Sequence, residues 1–336
     1  MRAGYGEKTR GFFAKHTNPK YLIDFAGVKI FDNATVDTNI LIFGKGQNEY
    51  QTRCAVTDKL NKESLKNLSD FVQQQHTICN FSNEESWVIL SPIEQSIKQK
   101  IESVGTPLKD WDIKIYRGVL TGYNDAFIIS TEKRDEILAN CQTEEERLCT
   151  AELIRPILRG RDIKRYGYDW ANLWLINTHN GIKGVKPRID INEYPAVKAH
   201  LDQYWDKISK RADKGDTPYN LRNCAYLDDF FKPKLFYADI TQKLNFVRCD
   251  DVMFCNNTTY FITAKNSEIL SHLEQCLNTK LMDWYYKTLS VQLGENAVRM
   301  FSIYVLNIPI PDISDIPLAS LYGLSESEIK YIENLS

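Results

Sequence analysis

The fold of this chain is decided by one stretch, Lys114-Ile-Tyr-Arg-Gly-Val-Leu-Thr-Gly-Tyr-Asn-Asp-Ala-Phe-Ile-Ile-Ser130. Apolar residues stand at both ends of it, and turn-forming residues lie between them at 121–125. Gly122 tolerates a positive φ, while Asn124 and Asp125 can hydrogen-bond to their own backbone. The pattern therefore predicts a strand, a tight turn and a second strand.

A basic segment that also contains glycine follows at Leu158-Arg-Gly-Arg-Asp-Ile-Lys-Arg165. Five cations and one acid lie between Arg155 and Arg165. Arginine binds phosphate and guanine through a planar fork of donors, so the arginines on both sides of Gly160 are candidates for contacts to phosphates or bases. A solvated loop is the alternative interpretation of this segment.

Composition restricts the class of protein. The 336 residues suggest about two domains of roughly 150 residues each, and 43% hydrophobic with 26% charged residues is typical of a soluble globular protein. No apolar run approaches the roughly 20 residues of a membrane helix, and the start of the chain lacks the apolar centre of a signal peptide. We therefore expect a cytoplasmic protein without a membrane partner.

Charge and cysteine usage narrow the class further. A net charge of −2 weighs against a protein that binds nucleic acid over its whole surface, but it allows a local basic cleft. The eight cysteines form no Cys-x-x-Cys pair, so we expect free thiols in a reducing compartment and no metal site.

Periodicity and turn residues divide the chain into four parts. The first contains a short helix at 4–17 and two apolar strands, and it is too small to bury its own faces. A polar connector with helices at 58–76 and 93–104 and a short strand at 87–90 comes next. A mixed α/β region follows, and a helical tail ends the chain. The predicted parts are 1–48, 49–110, 111–312 and 313–336.

Within the α/β region the expected elements have a definite order. Tyr194-Pro195 opens an amphipathic helix, and Asn266 caps a helix that is followed by another at about 280–289. The expected strands are 232–240, 246–249 and 253–263. The segment 301–311, which contains two prolines, is expected to be extended.

This order resembles, over about residues 85–312, the TaqI-like C-terminal specificity domain of adenine-specific DNA methyltransferases and type IIG restriction–modification enzymes. The sequence of residues 22–43 is similar to the segment that closes the catalytic sheet of such methyltransferases. The resemblance implies a mixed α/β fold class: a terminal remnant of a methyltransferase sheet, a helical connector and a mixed α/β target-recognition domain.

The chemistry of methyl transfer is missing from the sequence. No Gly-x-Gly turn links an early strand to a helix, as S-adenosylmethionine binding requires. Asn18-Pro19-Lys20-Tyr21 lacks the second proline of the loop that grips a flipped adenine, and we interpret it as a helix stop. Asp312, Glu328 and Lys330 match the residue types of a metal-dependent nuclease motif. That motif needs its second acid on a strand, whereas Glu328 stands in a helical tail. We therefore expect no catalytic, cofactor or metal residue here.

Recognition chemistry is present. The resemblance implies double-stranded DNA as the partner, and Arg reads guanine while Asn and Gln read adenine. Each such residue has the alternative of serving its own turn, and Arg211 is interpreted as a cation at a helix C-terminus. Loops near 117, 160 and 222 are expected to converge on the duplex. The candidate DNA-binding residues are Arg117, Thr121, Gly122, Asn124, Arg159, Arg161, Lys164, Asn220, Arg222, Gln242, Asn256 and Asn257.

These observations favour the specificity half of an adenine methyltransferase or type IIG protein. The resemblance implies that the intact protein holds duplex DNA between two lobes, and that the missing methyltransferase lobe binds S-adenosylmethionine and methylates a flipped adenine. Met1 would then be an internal residue or an expression start, and the chain alone would be inactive. A type I specificity subunit and an unrelated soluble α/β enzyme are the alternatives.

Overall fold

The computed structural model describes residues 6–25, 30–31, 33, 38–57, 66–290, 292–293 and 297–335. The chain forms two compact units. Unit 1 comprises Met1–Thr106, Asp283–Arg299 and Ile308–Ser336, and unit 2 comprises Pro107–Met282 and Met300–Asn307. Helices and strands alternate in both, which confirms the mixed α/β fold class. Every helix in the described ranges is too short or too polar to cross a bilayer.

The helices are short. In chain order they are α1 (Glu7–His16), α2 (Leu68–Gln75), α3 (Pro92–Val104), α4 (Asn124–Phe127), α5 (Thr131–Ala139), α6 (Glu144–Leu153), α7 (Pro195–Asp202), α8 (Trp205–Ile208), α9 (Ser267–Leu277), α10 (Lys280–Leu289), α11 (Ser302–Val305), α12 (Leu318–Leu321) and α13 (Glu326–Glu333).

The strands are likewise short. They are β1 (Thr17–Asp24), β2 (Asn39–Lys45), β3 (Thr52–Val56), β4 (Thr77–Cys79), β5 (Thr106–Pro107), β6 (Ile113–Arg117), β7 (Ile128–Ser130), β8 (Ile154–Leu158), β9 (Ile163–Lys164), β10 (Gly167–Tyr168), β11 (Leu173–Ile176), β12 (Lys234–Ala238), β13 (Ile240–Thr241), β14 (Phe246–Cys249), β15 (Phe254–Cys255), β16 (Thr259–Ala264), β17 (Gln292–Leu293), β18 (Ala297–Arg299) and β19 (Pro309–Ile310).

Unit 1 contains a four-stranded sheet in the order β2-β1-β3-β4. β1 runs antiparallel to β2 and parallel to β3, and β3 is antiparallel to β4. Helix α3 begins as expected, because Ser91 and Glu94 form a capping box and Pro92 occupies the first turn. Its apolar face buries Ile97 and Ile101 completely.

The structure refines the local expectations in unit 1. α1 ends at His16, just before Asn18 and Pro19, and these two residues lie in β1, which ends at Asp24. The segment 87–90 is not a strand, because Trp87 turns into the core and stacks on Phe81 at 4.6 Å between ring centroids. The expected helix at 58–76 is described from residue 66 onward, with α2 at Leu68–Gln75, and its residues 58–65 lie outside the described ranges.

Unit 2 contains two four-stranded sheets, with the orders β14-β12-β16-β6 and β15-β8-β11-β7. The first sheet is antiparallel throughout. In the second sheet β15 and β8 are parallel, and the other pairs are antiparallel. The expected antiparallel partners of β12 are confirmed, as are the Asn266 cap of α9 and the bounds of α10.

The predicted hairpin at 114–130 is wrong. β6 pairs with β16, whereas β7 pairs with β11 in the other sheet. Between them the chain forms α4, and Ala126 and Phe127 of this helical turn are completely buried. Because these two consecutive residues are buried, the chain passes through them from one sheet into the other. A tight turn between two paired strands would instead keep both strands in one sheet.

Two further expectations are wrong. The helix that Pro195 opens ends at Asp202, and Trp205 in the separate turn α8 is 43% exposed rather than buried. The segment 301–311 is not extended throughout, because residues 302–305 form the helical turn α11.

Candidate nucleic-acid interface

Several strands of unit 2 end at one place. The backbone N–H of Gly118, just after β6, donates to Thr259 O at 2.8 Å, and Val119 N–H donates to Cys255 O at 2.7 Å. Asn256 N–H donates to Leu158 O at 2.9 Å, so the end of β8 reaches the same point. We call Arg117, Asp239 and residues 159–162 and 256–258 the Arg117 cluster.

The turn at 256–258 is built by side chains that accept and donate locally. The Asn256 side-chain oxygen accepts from Thr258 N at 3.1 Å and from Thr258 Oγ1 at 2.6 Å. Thr258 Oγ1 in turn accepts from Gly160 N at 2.9 Å. A Cβ at Gly160 would come within 2.5 Å of Thr258 O, so glycine permits this close approach. The turn therefore holds the basic loop in place.

Arg117 lies across the cluster with its side chain 49% exposed. Its Nε donates to Asn257 O at 2.9 Å, and its Nη2 lies 3.7 Å from Asp239 Oδ2. The guanidinium also stands over the Tyr260 ring, 5.7 Å from the centroid. The backbone carbonyl of Arg117 accepts from the Tyr226 hydroxyl at 2.9 Å. The residue is anchored, and part of its donor fork still faces solvent.

Arg159 has a more local role. Its Nε and Nη2 donate to the Asp162 carboxylate at 3.1 and 2.8 Å, and its backbone N–H donates to the same group at 2.8 Å. Asp162 is buried, and its hydrogen bonds raise the pKa of the Arg159 guanidinium. The pair closes the loop from 159 to 162 and occupies much of the arginine fork.

The exposed cations lie on the next few residues. β9 and β10 form a two-stranded ribbon, and the turn between them carries Arg165 and Tyr166, the latter at φ 59°. Tyr166 N–H donates to Phe246 O at 3.2 Å, which fastens the ribbon to β14. Arg161, Lys164 and Arg165 are exposed, and Lys164 lies 3.7 Å from Asp169. We call residues 161–168 the basic ribbon.

A second polar network surrounds Arg211, which is buried. Its Nη1 donates to Thr121 O and to Asp213 O, the latter at 2.8 Å, and its Nη2 donates to Pro218 O at 3.1 Å and Asn220 O at 2.5 Å. The guanidinium also stands 4.4 Å from the Phe127 ring centroid. Burial lowers the pKa of Arg211 to about 10, so it is charged at neutral pH.

Arg211 is therefore not a cation at a helix end, as its sequence context suggested. It ties the loop after β6 to the loop 211–222. A Cβ at Gly122, whose φ is +70°, would lie 2.9 Å from Asp213 O, so glycine permits the close approach of the two loops. Sequence reasoning missed this role because short-range pattern shows a cation beside Asp213 and Gly215 and does not show which carbonyl groups surround it.

The predicted DNA-binding residues divide into three groups. Arg117, Arg159, Asn256 and Asn257 lie together in the Arg117 cluster, and Arg161 and Lys164 lie on the basic ribbon. Thr121, Gly122 and Asn220 lie around Arg211, and Asn124, which is exposed, accepts from Thr121 at 2.6 Å. Arg222 is exposed in the same region and lies 3.3 Å from the Asp213 carboxylate. Gln242 is exposed on the loop after β13.

Three of these residues are interior in this structure. Thr121 and Asn220 are 1% exposed, and Asn256 is 5% exposed. Asn220 Nδ2 donates to Ile189 O at 2.9 Å, and its Oδ1 accepts from Thr217 at 2.6 Å. Their short side chains build turns, as the alternative interpretation held. DNA contact by the full set stays a prediction.

The expected convergence is present for the loops near 117 and 160. The loop near 222 reaches them through a short connection, because Tyr226 donates to Arg117 O and lies four residues after Arg222. In the described ranges no three His, Cys, Asp or Glu side chains are grouped for a metal ion, and the eight cysteines are free. The site offers cations and amides, which suit binding rather than covalent chemistry.

The chain is similar to known proteins over the same region. Residues 155–310 match the model of the TaqI-like C-terminal specificity domain. The chain is 21% identical over 343 residues to the type II methyltransferase M.PaeR7I of Pseudomonas aeruginosa, covering 98% of this chain and 57% of that protein. It is 25% identical over 210 residues to the type II methyltransferase M.BanIII of Aneurinibacillus aneurinilyticus, covering 60% and 34%.

Two solved structures are also similar. The type IIL restriction-modification enzyme MmeI in complex with DNA aligns with 87% of this chain and 35% of its own, at a TM-score of 0.52 and 13% identity. The type IIG restriction endonuclease BpuSI aligns with 99% and 41%, at a TM-score of 0.46 and 13% identity. The chain thus spans little more than half of M.PaeR7I and about a third of M.BanIII.

Proposed function

We propose that this chain, whose residues 155–310 form a TaqI-like C-terminal specificity domain homologous to those of type II methyltransferases, is the part that recognises a DNA sequence. The observation that carries the proposal is the meeting of β6, β8, β12, β15 and β16 at the Arg117 cluster, with the basic ribbon beside it. Cations on one face attract the phosphate backbone even when the whole protein is slightly acidic.

The division of labour within this site follows from exposure. Arg161, Lys164 and Arg165 are exposed and contact phosphates, which supply affinity without sequence information. Arg117 and Asn257 lie at the meeting point of the strands and are the candidates for base contacts, since a guanidinium reads guanine and an amide reads adenine. Asn257 is only half-buried, whereas the neighbouring Asn256 is buried in its turn.

We further propose that the target base is adenine and that S-adenosylmethionine and the catalytic loop belong to a methyltransferase lobe outside these 336 residues. The support for the separate lobe is the relatives' description as type II methyltransferases, together with the lack of both motifs in this sequence. The support for adenine is the resemblance of the sequence to adenine-specific DNA methyltransferases. The purified chain is then expected to transfer no methyl group to DNA. Radiolabelled S-adenosylmethionine with a randomised duplex measures this, and measurable transfer contradicts the proposal.

Selection from a randomised pool of duplexes, each about three helical turns long, tests the recognition proposal. DNA retained by the purified chain at low salt is expected, on sequencing, to be enriched in a short motif. Fluorescence anisotropy then compares wild type with the variant R161Q/K164Q/R165Q. Three lost phosphate contacts are expected to reduce the slope of log K against log salt by about 3.

A matched control removes the same charge elsewhere in unit 2. Lys133 and Arg147 lie on α5 and α6, and Lys265 lies just beyond the end of β16 that is remote from the Arg117 cluster. The variant K133Q/R147Q/K265Q is expected to keep the wild-type slope within about one unit. An unselected pool, or equal slopes for the two triple variants, contradicts the proposal.

A further inference from the structure

A basic hairpin at 181–188 carries chemistry that the sites above do not use. Ile182 N–H donates to Lys186 O at 2.8 Å, and Lys186 N–H donates back to Ile182 O at 2.9 Å. Gly181 and Gly184 have φ +72° and +77°, and a Cβ at Gly181 would come within 2.3 Å of Lys186 O. The glycines therefore permit a narrow hairpin whose tip is Lys183, Gly184 and Val185.

The hairpin presents three cations around an exposed apolar tip. Val185 is 77% exposed, the highest value among the large apolar side chains of the described residues. Lys186 Nζ lies 3.8 Å from Asp228, and Arg188 Nη1 lies 3.6 Å from Asp216. Those separations exceed the roughly 2.7–2.9 Å of a charge-assisted hydrogen bond, and exposed pairs of this kind contribute about 0–1 kcal/mol. Phosphate groups can therefore compete for both cations.

Hydrogen bonds hold the base of the hairpin, and one of their donors, Asn220, is buried. Ile189 N–H donates to His179 O at 3.1 Å, and Asn220 Nδ2 donates to Ile189 O at 2.9 Å. Asn180 accepts from Asp216 N at 2.8 Å and donates to Asn223. Asn220, one of the candidate DNA-binding residues, thus helps to position the hairpin. A backbone that is held in place before binding loses less conformational entropy when it binds.

The hairpin is linked to the Arg117 cluster through residues 223–226. A concavity of about 860 Å³ separates the hairpin from residues 223–225. Asn223 bonds to Asn180 at the base of the hairpin, and Tyr226 bonds to Arg117 O. The three peptide units between Asn223 and Tyr226 span at most about 11 Å. The base of the hairpin and the Arg117 cluster therefore fit within one helical turn of duplex DNA, which is about 34 Å long.

We propose that the basic hairpin is a second DNA-contacting element, in which Lys183, Lys186 and Arg188 bind backbone phosphates of the duplex that the Arg117 cluster reads. The inference rests on the proposed function and adds a site to it. Phosphate contacts carry no sequence information, so the hairpin sets affinity and orientation rather than the recognised motif.

Matched charge variants test the hairpin. The variant K186Q/R188Q removes one Lys and one Arg, each of which lies beside an exposed acidic side chain. The control K133Q/R147Q also removes one Lys and one Arg, and these lie beside the acidic residues Glu136 and Glu144. With a fluorescent duplex of mixed sequence and the same length, the hairpin variant is expected to lower the salt slope by about 2 and the control by less than about 1. K183Q is expected to lower it by about 1 more.

A photo-crosslinker separates contact from long-range attraction. p-Benzoylphenylalanine at position 185 is expected to crosslink to the duplex on irradiation, whereas the same group at position 148, where Leu148 is 55% exposed on α6, is not. Unchanged melting temperatures show that the variants are folded.

The outcomes distinguish the two proposals. If wild type binds and selects DNA but K186Q/R188Q behaves as the control and position 185 does not crosslink, the hairpin proposal is overturned and the proposed function stands. If wild type binds no duplex at low salt, both are overturned. An enriched motif that is the same for wild type and for K186Q/R188Q supports the assignment of the hairpin to phosphates.

Discussion

Arg117 and Arg211 differ in what surrounds them, although both lie in unit 2, Arg117 at the end of β6 and Arg211 in a loop. Arg211 is 7% exposed and donates to four backbone carbonyl groups, so its donors are used inside the protein. Arg117 is half-exposed and shares its fork between one carbonyl and a carboxylate 3.7 Å away. The neighbours of a cation therefore decide whether it holds the fold or remains available to a ligand.

The same contrast occurs within unit 1, where Glu328 is a buried charge with several donors. Its carboxylate accepts from Lys100 Nζ and Ser96 Oγ, both at 2.6 Å, and from Ser325 N at 2.7 Å. The exposed pair Lys15 and Glu84 of the same unit is only a contact of 3.9 Å between Nζ and Oε2. Interior charges are expected to govern stability, and exposed charges are expected to govern binding.

The largest effect is expected for Arg211→Ala. Loss of the guanidinium leaves several buried carbonyl oxygens without a donor, at about 1–3 kcal/mol each, so the free energy of unfolding should fall by about 3–5 kcal/mol. Urea unfolding followed by circular dichroism measures it. Arg222→Gln, an exposed arginine in the same loop, is the control and should change stability by less than about 0.5 kcal/mol. Equal effects of the two variants would remove the distinction between interior and surface arginines.

A pH titration extends the comparison to unit 1. Burial alone would raise the pKa of Glu328, but hydrogen bonds from Lys100, Ser96 and Ser325 outweigh it and lower the pKa from 4.5 to about 2. Since the folded-state pKa is the lower one, the stability is fully present above about pH 4.5 and is lost as the pH falls toward about 2. The loss should reach about 3 kcal/mol.

Melting temperatures between about pH 2 and about pH 7 measure this dependence. Glu328→Gln should be less stable at neutral pH and should flatten the acid limb of the curve. Glu326→Gln, at an exposed position of the same helix, should leave the wild-type curve unchanged. A wild-type slope retained by Glu328→Gln would assign the acid sensitivity to other carboxyl groups.

A smaller effect is expected from steric disruption of the Arg117 cluster. A Cβ at Gly118 would lie 2.1 Å from Asn256 O and 2.5 Å from Cys255 O. Gly118→Ala must therefore shift the backbone, which is expected to lower the free energy of unfolding by about 1–3 kcal/mol. Gly44→Ala in β2 of unit 1 is the control, because its added methyl group would meet only the end of the flexible Lys20 side chain, 3.3 Å away. Duplex affinity should fall for the first variant and stay unchanged for the second. An undiminished affinity of folded Gly118→Ala would separate DNA binding from the geometry of this cluster.

Local pattern predicted the elements that depend on neighbouring residues. The helix at about 93–104, the cap at Asn266 and the bounds of α10 follow from hydrogen bonds and periodicity within a few residues. The antiparallel partners of β12 were also predictable, since successive strands usually pair with their neighbours along the chain. The resemblance to a specificity domain rested on this order of elements, and the match over 155–310 confirms it.

The sequence by itself determined the mixed α/β class, the starts of α7, α9 and α10 and the presence of cations near Gly160, because these depend on composition and on contacts between residues close in the chain. Only the tertiary structure decided that β6 and β7 belong to different sheets, that Asn220 positions a hairpin, and that Arg211 is interior while Arg117 reaches solvent. The physical reason is that burial and competition for hydrogen-bond partners depend on residues up to about a hundred positions away, and a local pattern carries no information about them.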